Sequence, residues 1–219
     1  MGQRRRPSAD ANAMMTILQI IQGVCKNVGL EIPTLAVANT DREYVELIQF
    51  ATETAVEVSR RVDWSALRAT ATITGTGTND DFALPAAFAR LTMGSAVTTG
   101  GNPVRGSLSQ DEWASLTGIS GTPRYFRLNG TSSISFYPYP ALAATAAVSY
   151  ISKNWASNGT AAWVADADTP LVPDILITQG TIWRFKRKSG QDYSDYLAEF
   201  EATLADLAGT DMRERSPWQ

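Results

Sequence analysis

The chain contains no histidine and a single cysteine, Cys25, among its 219 residues. The lack of histidine excludes Ser-His-Asp triads, Cys-His pairs and imidazole metal sites. A lone cysteine excludes an intrachain disulfide and any zinc site built from several cysteines. These absences remove the commonest nucleophilic and metal-dependent active sites, and they favour synthesis in a reduced, intracellular compartment.

Long apolar runs and a basic excess are missing as well. No stretch approaches the roughly 20 apolar residues that a bilayer crossing needs, so we expect no membrane partner. Lys and Arg number 19 against 22 Asp and Glu, a net charge of -3, which argues against general binding to nucleic acid. Arg4, Arg5 and Arg6 form a basic run without an apolar segment directly behind it. We therefore interpret residues 1–14 as a disordered leader or an extra upstream start, not as a signal peptide.

Two amphipathic helices are predicted at the beginning of the chain. In residues 16–28 the apolar side chains recur at helical spacing, and Gly29 is a plausible stop. Cys25 lies within this helix and is interpreted as a small core residue. The second helix is predicted to begin at Thr40, because Thr40 and Glu43 have the spacing of a capping box. Its apolar stripe consists of Tyr44, Ile48, Ala51, Ala55, Val58 and Val62.

The middle of the chain has the pattern of short strands. Residues 68–74 alternate in polarity, 75–80 are prone to turns, and 81–85 form a short strand that ends at a proline. Ser109 and Glu112 predict a brief capped helix that extends to about Leu116. Residues 124–128 and 133–137 flank Asn129-Gly130 and predict a hairpin with a tight turn. A third strand is expected at 144–151, followed by a polar loop over 152–167.

The last third of the chain is predicted to be helical again. One helix begins near Pro173 and ends in a basic run at residues 184–188, which suits the negative end of a helix dipole. After Gly190 a second helix is expected to end at Gly209. Its apolar stripe is the strongest in the chain and consists of Tyr193, Tyr196, Leu197, Phe200, Leu204 and Leu207.

These elements predict an α+β fold. Two N-terminal and two C-terminal helices form a helical bundle, a small antiparallel β region is inserted between them, and a flexible C-terminal tail follows. The predicted segments are the leader at 1–14, the N-terminal helical pair at 15–67, the β-rich insertion at 68–167, the C-terminal helices at 168–209 and the tail at 210–219.

Candidate reactive motifs are weak. Gly75-Thr76-Gly77 lies between strands and lacks the third glycine of a dinucleotide loop, so it is interpreted as a hairpin turn. Asp166 and Asp168 are interpreted as a solvated loop ahead of a helix. The basic run at 184–188 is interpreted as a solvated helix end, with phosphate contact as the alternative. The fold could still bring two carboxylates together as a general acid and base, but the sequence does not indicate which two.

The order of these elements resembles the adaptor, or head-completion, proteins of tailed bacteriophages, which are head-to-tail connectors that include the tail-tubular-A type. The resemblance extends over residues 15–219. It rests on five segments in order: Val62-Asp63-Trp64-Ser65-Ala66-Leu67, Asp81-Phe82-Ala83-Leu84-Pro85-Ala86-Ala87-Phe88-Ala89-Arg90, Gly121-Thr122-Pro123-Arg124-Tyr125-Phe126, Phe136-Tyr137-Pro138-Tyr139-Pro140, and the helix that contains Pro173.

The resemblance implies a structural virion protein without enzymatic activity, cofactor or metal. It implies a ring, usually dodecameric, of neighbouring copies that joins the portal protein to the next tail or neck component. Double-stranded DNA passes through the lumen without specific binding during packaging and ejection. The protein is then made in the host cytoplasm and resides in the virion neck. The resemblance also implies that the C-terminal segment docks on the portal. The residues to which it assigns this role are Met212, Arg213, Arg215, Pro217, Trp218 and Gln219.

Independently of the resemblance, a terminal Trp with nearby Arg is the side-chain chemistry of a binding hot spot, although a frayed end is an equal alternative. Two other functions stay open. One is a virion-associated glycan hydrolase that uses two carboxylates, and the other is a β-rich binding module of a tail. Loss of activity on replacement of a single Asp or Glu would indicate the hydrolase.

Overall fold

The structure is a computed structural model that describes residues 14–94 and 96–213, the last two as backbone only. The described chain divides into two compact units. Residues up to Val62, together with those from Trp155 onward, form a helical unit, and Asp63–Asn154 form a β unit. The fold is α+β with antiparallel sheets, as predicted. Residues 155–167, which the sequence grouped with the β insertion, are part of the helical unit.

Helix α1, Ile17–Val28, has well-defined ends. Thr16 is its N-cap: the Thr16 hydroxyl accepts the Gln19 N–H at 3.3 Å, and the Gln19 side chain accepts the Thr16 N–H at 2.9 Å. Gly29 ends the helix with φ 77°, a left-handed conformation that favours glycine, so the predicted stop is confirmed. Cys25 is buried, as expected, and burial raises the pKa of its thiol.

Helix α2, Arg42–Arg61, does not begin with the capping box that was predicted. The N-cap is Asp41, whose side chain makes no capping hydrogen bond, and not Thr40. The Asn39 side chain accepts the Asp41 N–H at 2.9 Å, which moves the start of the helix one residue along the chain. Thr40 and Glu43 then no longer occupy the N-cap and N3 positions that a capping box requires.

Helix α4, Asp174–Lys188, lies against α1, α2 and the last helix, α5, Ser194–Arg213. It is therefore the helix around which the helical unit is built. The buried apolar side chains of this unit include Ile17, Ile20, Ile21, Val24, Leu47, Ala51, Ala55, Val58, Leu176, Ile177, Phe200 and Leu204.

The end of α5 differs from the predicted one. The helix does not end at Gly209 but continues to Arg213, so residues 210–213 are helical and not part of a tail. The Thr210 hydroxyl donates to the Asp206 carbonyl at 3.1 Å within this last part. A glycine costs only about 1 kcal/mol in a helix, which is too little to end one by itself. Residues 214–219 lie outside the described chain, so their predicted flexibility stays a prediction.

The described residues of the β unit form eight short strands, a 3-10 turn and one short helix. The strands are β1 Arg68–Thr74, β2 Asp81–Ala83, β3 Phe88–Leu91, β4 Val97–Thr99, β5 Asn102–Pro103, β6 Tyr125–Asn129, β7 Ser133–Tyr137 and β8 Thr145–Ser152. The turn is Ser65–Leu67, and the helix, α3, is Gln110–Ala114. The predicted Ser109–Glu112 capping box is present, although α3 ends two residues before Leu116.

The strands form two antiparallel sheets. In the five-stranded sheet, β8 is central: β1 pairs with it along one side, and β3 and β4 pair along the other, with β5 beyond β4. The three-stranded sheet has the order β2-β7-β6. Strands β3, β4 and β5 were not predicted, because they are two to four residues long.

The hairpin of β6 and β7 is confirmed, but its turn is not the predicted two-residue turn. Asn129 pairs with Ser133 as the last residue of β6, which leaves residues 130–132 as the loop. Gly130 alone takes a positive φ, 66°. The Asn129 side chain donates to Ser135 Oγ at 2.7 Å and to Asp81 Oδ1 at 2.9 Å, so it joins β2, β6 and β7.

Candidate interaction surfaces

Helix α5 is held on the helical unit by packing and by ion pairs. Phe200 and Leu204 are buried, and the Trp183 ring of α4 lies 6.4 Å from that of Phe200. Arg61 at the end of α2 donates two hydrogen bonds to the Glu201 carboxylate, at 2.7 and 2.6 Å. This contact lowers the pKa of Glu201 and raises that of Arg61. The helix that leads to the chain terminus is thus fixed to α2 and α4.

A buried arginine joins α2 to α4. Arg184 is only 7% exposed and donates to Thr54 Oγ1 at 2.9 Å, to the Gly180 carbonyl at 3.1 Å and to the Glu57 carboxylate. Burial lowers the pKa of Arg184, and the pairing with Glu57 opposes that effect. All of its described partners belong to the helical unit, so Arg184 is a structural residue and not the solvated helix end that the sequence suggested.

The rest of the basic run at the end of α4 also has intramolecular partners. Lys186 Nζ lies 4.6 Å from the centre of the Tyr196 ring, and Arg187 lies 5.0 Å from that of Trp183. Lys188 forms an ion pair with Glu46, which lowers the pKa of that carboxyl. These contacts fix the basic run onto α2 and α5 and leave no feature that indicates a phosphate site.

The loop before α4 is not the polar, solvated loop that was predicted. Trp155 and Trp163 are buried and meet edge to face, with ring centres 4.6 Å apart. Asp168 is 8% exposed, and its Oδ2 accepts from Val164 N–H at 2.6 Å, Ala165 N–H at 2.9 Å and the Asn158 side chain at 2.7 Å. Burial alone would raise the pKa of Asp168, but these hydrogen bonds outweigh it, and the pKa is lowered.

The same loop fixes the start of α1. The Ile17 N–H donates to the Asp168 carbonyl of the loop at 2.8 Å, and the Met15 N–H donates to the side chain of Asp174, the first residue of α4, at 2.8 Å. Asp166 Oδ1 accepts the N–H groups of Ala36 and Val37 at 3.0 and 2.8 Å. Both acids of the loop therefore organise the backbone, and nothing about them selects a general acid or a nucleophile.

The structure describes only two of the six residues that the resemblance assigns to portal docking. The backbones of Met212 and Arg213 form the final turn of α5. Arg215, Pro217, Trp218 and Gln219 lie outside the described residues. Their role in docking stays a prediction, but the structure defines the element from which the segment leaves the helical unit.

The β unit exposes several large apolar side chains. Met93 in the loop between β3 and β4 is 83% exposed, and Leu142 and Tyr139 in the loop before β8 are 77% and 51% exposed. Tyr139 also borders a groove whose other walls include Ile119, Thr122, Pro123, Pro138 and Ala141. Exposed apolar groups of this kind are typical of contact surfaces. No signal in the sequence distinguishes Met93 or Leu142, since exposure depends on the tertiary fold.

The segments that carry the resemblance lie mainly in the β unit. Trp64, Leu84 and Phe88 are buried, and Asp63 and Arg90 form an ion pair with an N–O distance of 2.8 Å. The segment Gly75-Thr76-Gly77 is not the hairpin turn that was predicted, because β1 before it and β2 after it belong to different sheets. A Cβ atom at Gly75 would lie 2.2 Å from the Ala141 carbonyl oxygen, so only glycine fits. These residues hold the two sheets and their connections in place.

Within residues 14–94 and 96–213, no helix has both the length and the apolar character that a membrane span requires. In the same ranges, no three His, Cys, Asp or Glu side chains come together as a metal-binding group. The described surface offers exposed apolar and charged groups that can make contacts with other proteins.

Comparison with known families agrees with this class of protein. The family model described as SU10 adaptor protein matches residues 15–219. The chain therefore belongs to this family of phage head-to-tail adaptors and is a structural component of the virion. No curated protein matches the chain significantly.

Proposed function

We propose that this chain is the subunit of an adaptor ring that joins the portal protein at the capsid vertex to the next tail or neck component. The family match over residues 15–219 carries this proposal. A ring of identical copies uses one heterologous contact that repeats until it closes, so a modest interface is sufficient. We infer a dodecameric ring from the family resemblance.

The C-terminal segment is proposed to dock on the portal. Its residues are Met212, Arg213, Arg215, Pro217, Trp218 and Gln219. The anchoring of α5 by Phe200, Leu204 and the Arg61–Glu201 pair supports this proposal, because it presents the segment from a fixed helix. A weak contact made by every subunit of a ring gains a large avidity, so each segment need bind only weakly.

DNA is proposed to pass through the lumen of the ring without specific binding. The net charge of -3 supports this, since fixed positive charge would retain the phosphate backbone. Helix α5 supports it too, because its exposed side chains include the acids Asp195, Glu199 and Asp206.

Deletion of residues 214–219 tests the docking proposal. The deletion begins after Arg213 because a cut at 210 would remove the last turn of α5. We expect an unchanged melting temperature and loss of binding to purified portal. Trp218→Ala should weaken binding about as strongly as a hot-spot residue does, by roughly 2 kcal/mol, whereas the neighbouring Ser216→Ala should have little effect. Full portal binding by the shortened chain would contradict the docking role.

A further inference from the structure

Strand β1 is a sheet edge that lacks the usual protection. It pairs with β8 along one side, and among the described residues no strand pairs with its other side. Its seven residues span about 23 Å at the usual rise per residue. The strand contains no proline, glycine or bulge, and Arg68 at its start is its only charged residue. Such an edge readily accepts a further strand.

The register shows which backbone groups point to the open side. Thr70 lies opposite Ser149 of β8. The Ser149 N–H donates to the Ala96 carbonyl at 2.7 Å, and its carbonyl accepts the Thr92 N–H at 3.2 Å, so both groups point away from β1. Opposed residues in an antiparallel pair exchange either two hydrogen bonds or none, and here they exchange none. The N–H and C=O of Thr70 therefore point to the open edge, and alternation gives Thr72 and Thr74 the same direction.

The other edges of the two sheets are protected. On β2, the Asn79 side chain donates to the Asp81 carbonyl at 2.6 Å and accepts the Asp81 N–H at 3.3 Å. Residues 105–108 cover β6, with hydrogen bonds from Arg105 N–H to the Arg124 carbonyl and from Phe126 N–H to the Arg105 carbonyl, both at 2.9 Å. β3 carries a register shift, and β5 is two residues long and contains a proline. Each of these features blocks strand addition. Among the described edge strands, β1 therefore lacks such protection.

We propose that the open edge of β1 binds an extended segment of a neighbouring copy of this chain by strand addition. The charge of the β unit favours a second copy over DNA, because that unit is close to neutral and neither repels itself nor attracts phosphate. Its basic residues are Arg68, Arg90, Arg105, Arg124, Arg127 and Lys153, and its acids are Asp63, Asp80, Asp81, Asp111 and Glu112. The contact is heterologous, since an edge of one copy meets a different segment of the next, which is the kind of contact that closes a ring. This inference rests on the proposed ring.

A proline at one position tests the backbone contact. Thr72→Pro removes an N–H that points to the open side and leaves the hydrogen bonds between β1 and β8 intact. We expect an unchanged melting temperature and self-association that is about tenfold weaker or more, as measured by native mass spectrometry of the full chain on portal. Thr72→Val keeps the N–H and should associate like the wild type. Unchanged association of a folded Thr72→Pro variant would overturn the proposal.

A photoreactive residue identifies the partner directly. With p-benzoylphenylalanine in place of Thr72, illumination of virions and of the concentrated full chain should give a cross-linked product that contains only this chain. A product that contains a different virion protein, or no self-product in either sample, would overturn the edge contact. Location of the chain is read separately, by imaging of the same virions. Neck density without the self-product would contradict the edge contact alone, and the self-product without neck density would contradict the proposed function alone.

Discussion

Gly180 of α4 lies directly against Thr54 of α2. A Cβ atom on Gly180 would come within 2.2 Å of Thr54 Cγ2 and 2.8 Å of its hydroxyl oxygen. The absence of a side chain at Gly180 therefore sets the spacing of the two helices. It also leaves the Thr54 hydroxyl in place to accept a hydrogen bond from Arg184.

Gly180→Ala should destabilise the protein by about 1–3 kcal/mol, because the added methyl group has no space between the helices. Thermal or denaturant unfolding measures the effect. Gly23→Ala is the matched control, since Gly23 is in the interior of α1 and has nothing within 4 Å of its Cβ position. The control should be neutral or stabilising by up to about 1 kcal/mol. Equal stabilities of the two variants would contradict the close packing.

Arg184→Ala should also destabilise the protein, by about 1–3 kcal/mol. The substitution removes hydrogen bonds to Thr54, Gly180 and Glu57 and the packing of the side chain on Trp183. The loss stays below that of a fully buried ion pair because Glu57 keeps contact with water once its partner is gone. Arg60→Ala, at an exposed position on α2, is the control and should change the free energy of unfolding by less than about 0.5 kcal/mol.

Asp168→Asn should lower stability at neutral pH by about 1–3 kcal/mol, because an amide is a weaker acceptor for the N–H groups of Val164 and Ala165. The pKa of Asp168 is lower in the folded chain than the usual value of about 4 for an unfolded Asp. Its stabilisation is therefore present above that value and is lost as pH falls through the folded pKa. Urea unfolding as a function of pH should show the variant and the wild type converging in acid.

Asp206→Asn is the control for that pH experiment, because Asp206 is an exposed residue of α5. Its unfolding curve should follow that of the wild type at every pH. If the difference between Asp168→Asn and the wild type were constant down to strong acid, the ionised Asp168 carboxylate would not be the source of the stabilisation.

Local signals in the sequence predicted the fold wherever the structure is set by neighbours along the chain. The apolar spacing of α1, the left-handed Gly29 and the capping box from Ser109 to Glu112 are of this kind. The predicted cap at Thr40 was wrong because the Asn39 side chain competes for the start of α2. The spacing of apolar residues does not show a one-residue shift of the N-cap, because that shift depends on which side chain accepts the hydrogen bond.

Features that depend on partners far along the chain could not be predicted. Strands β3 and β4 are short, and they are defined by pairing with β8, which follows them by roughly sixty and fifty residues. Asp168 looked like a solvated acid, and only the folded loop shows that it is buried among N–H groups. The open edge of β1 likewise follows from sheet order and register. Neither can be predicted from the seven residues of that strand.

The central claim is that this chain forms the adaptor ring of the virion neck. Cryo-electron microscopy of intact virions tests it most directly, by fitting the helical unit and the β unit separately into the density between capsid and tail. We expect a closed ring of copies under the portal, with the chain beyond Arg213 in contact with portal density. Density for this chain elsewhere in the virion, or a single copy instead of a ring, would contradict the account.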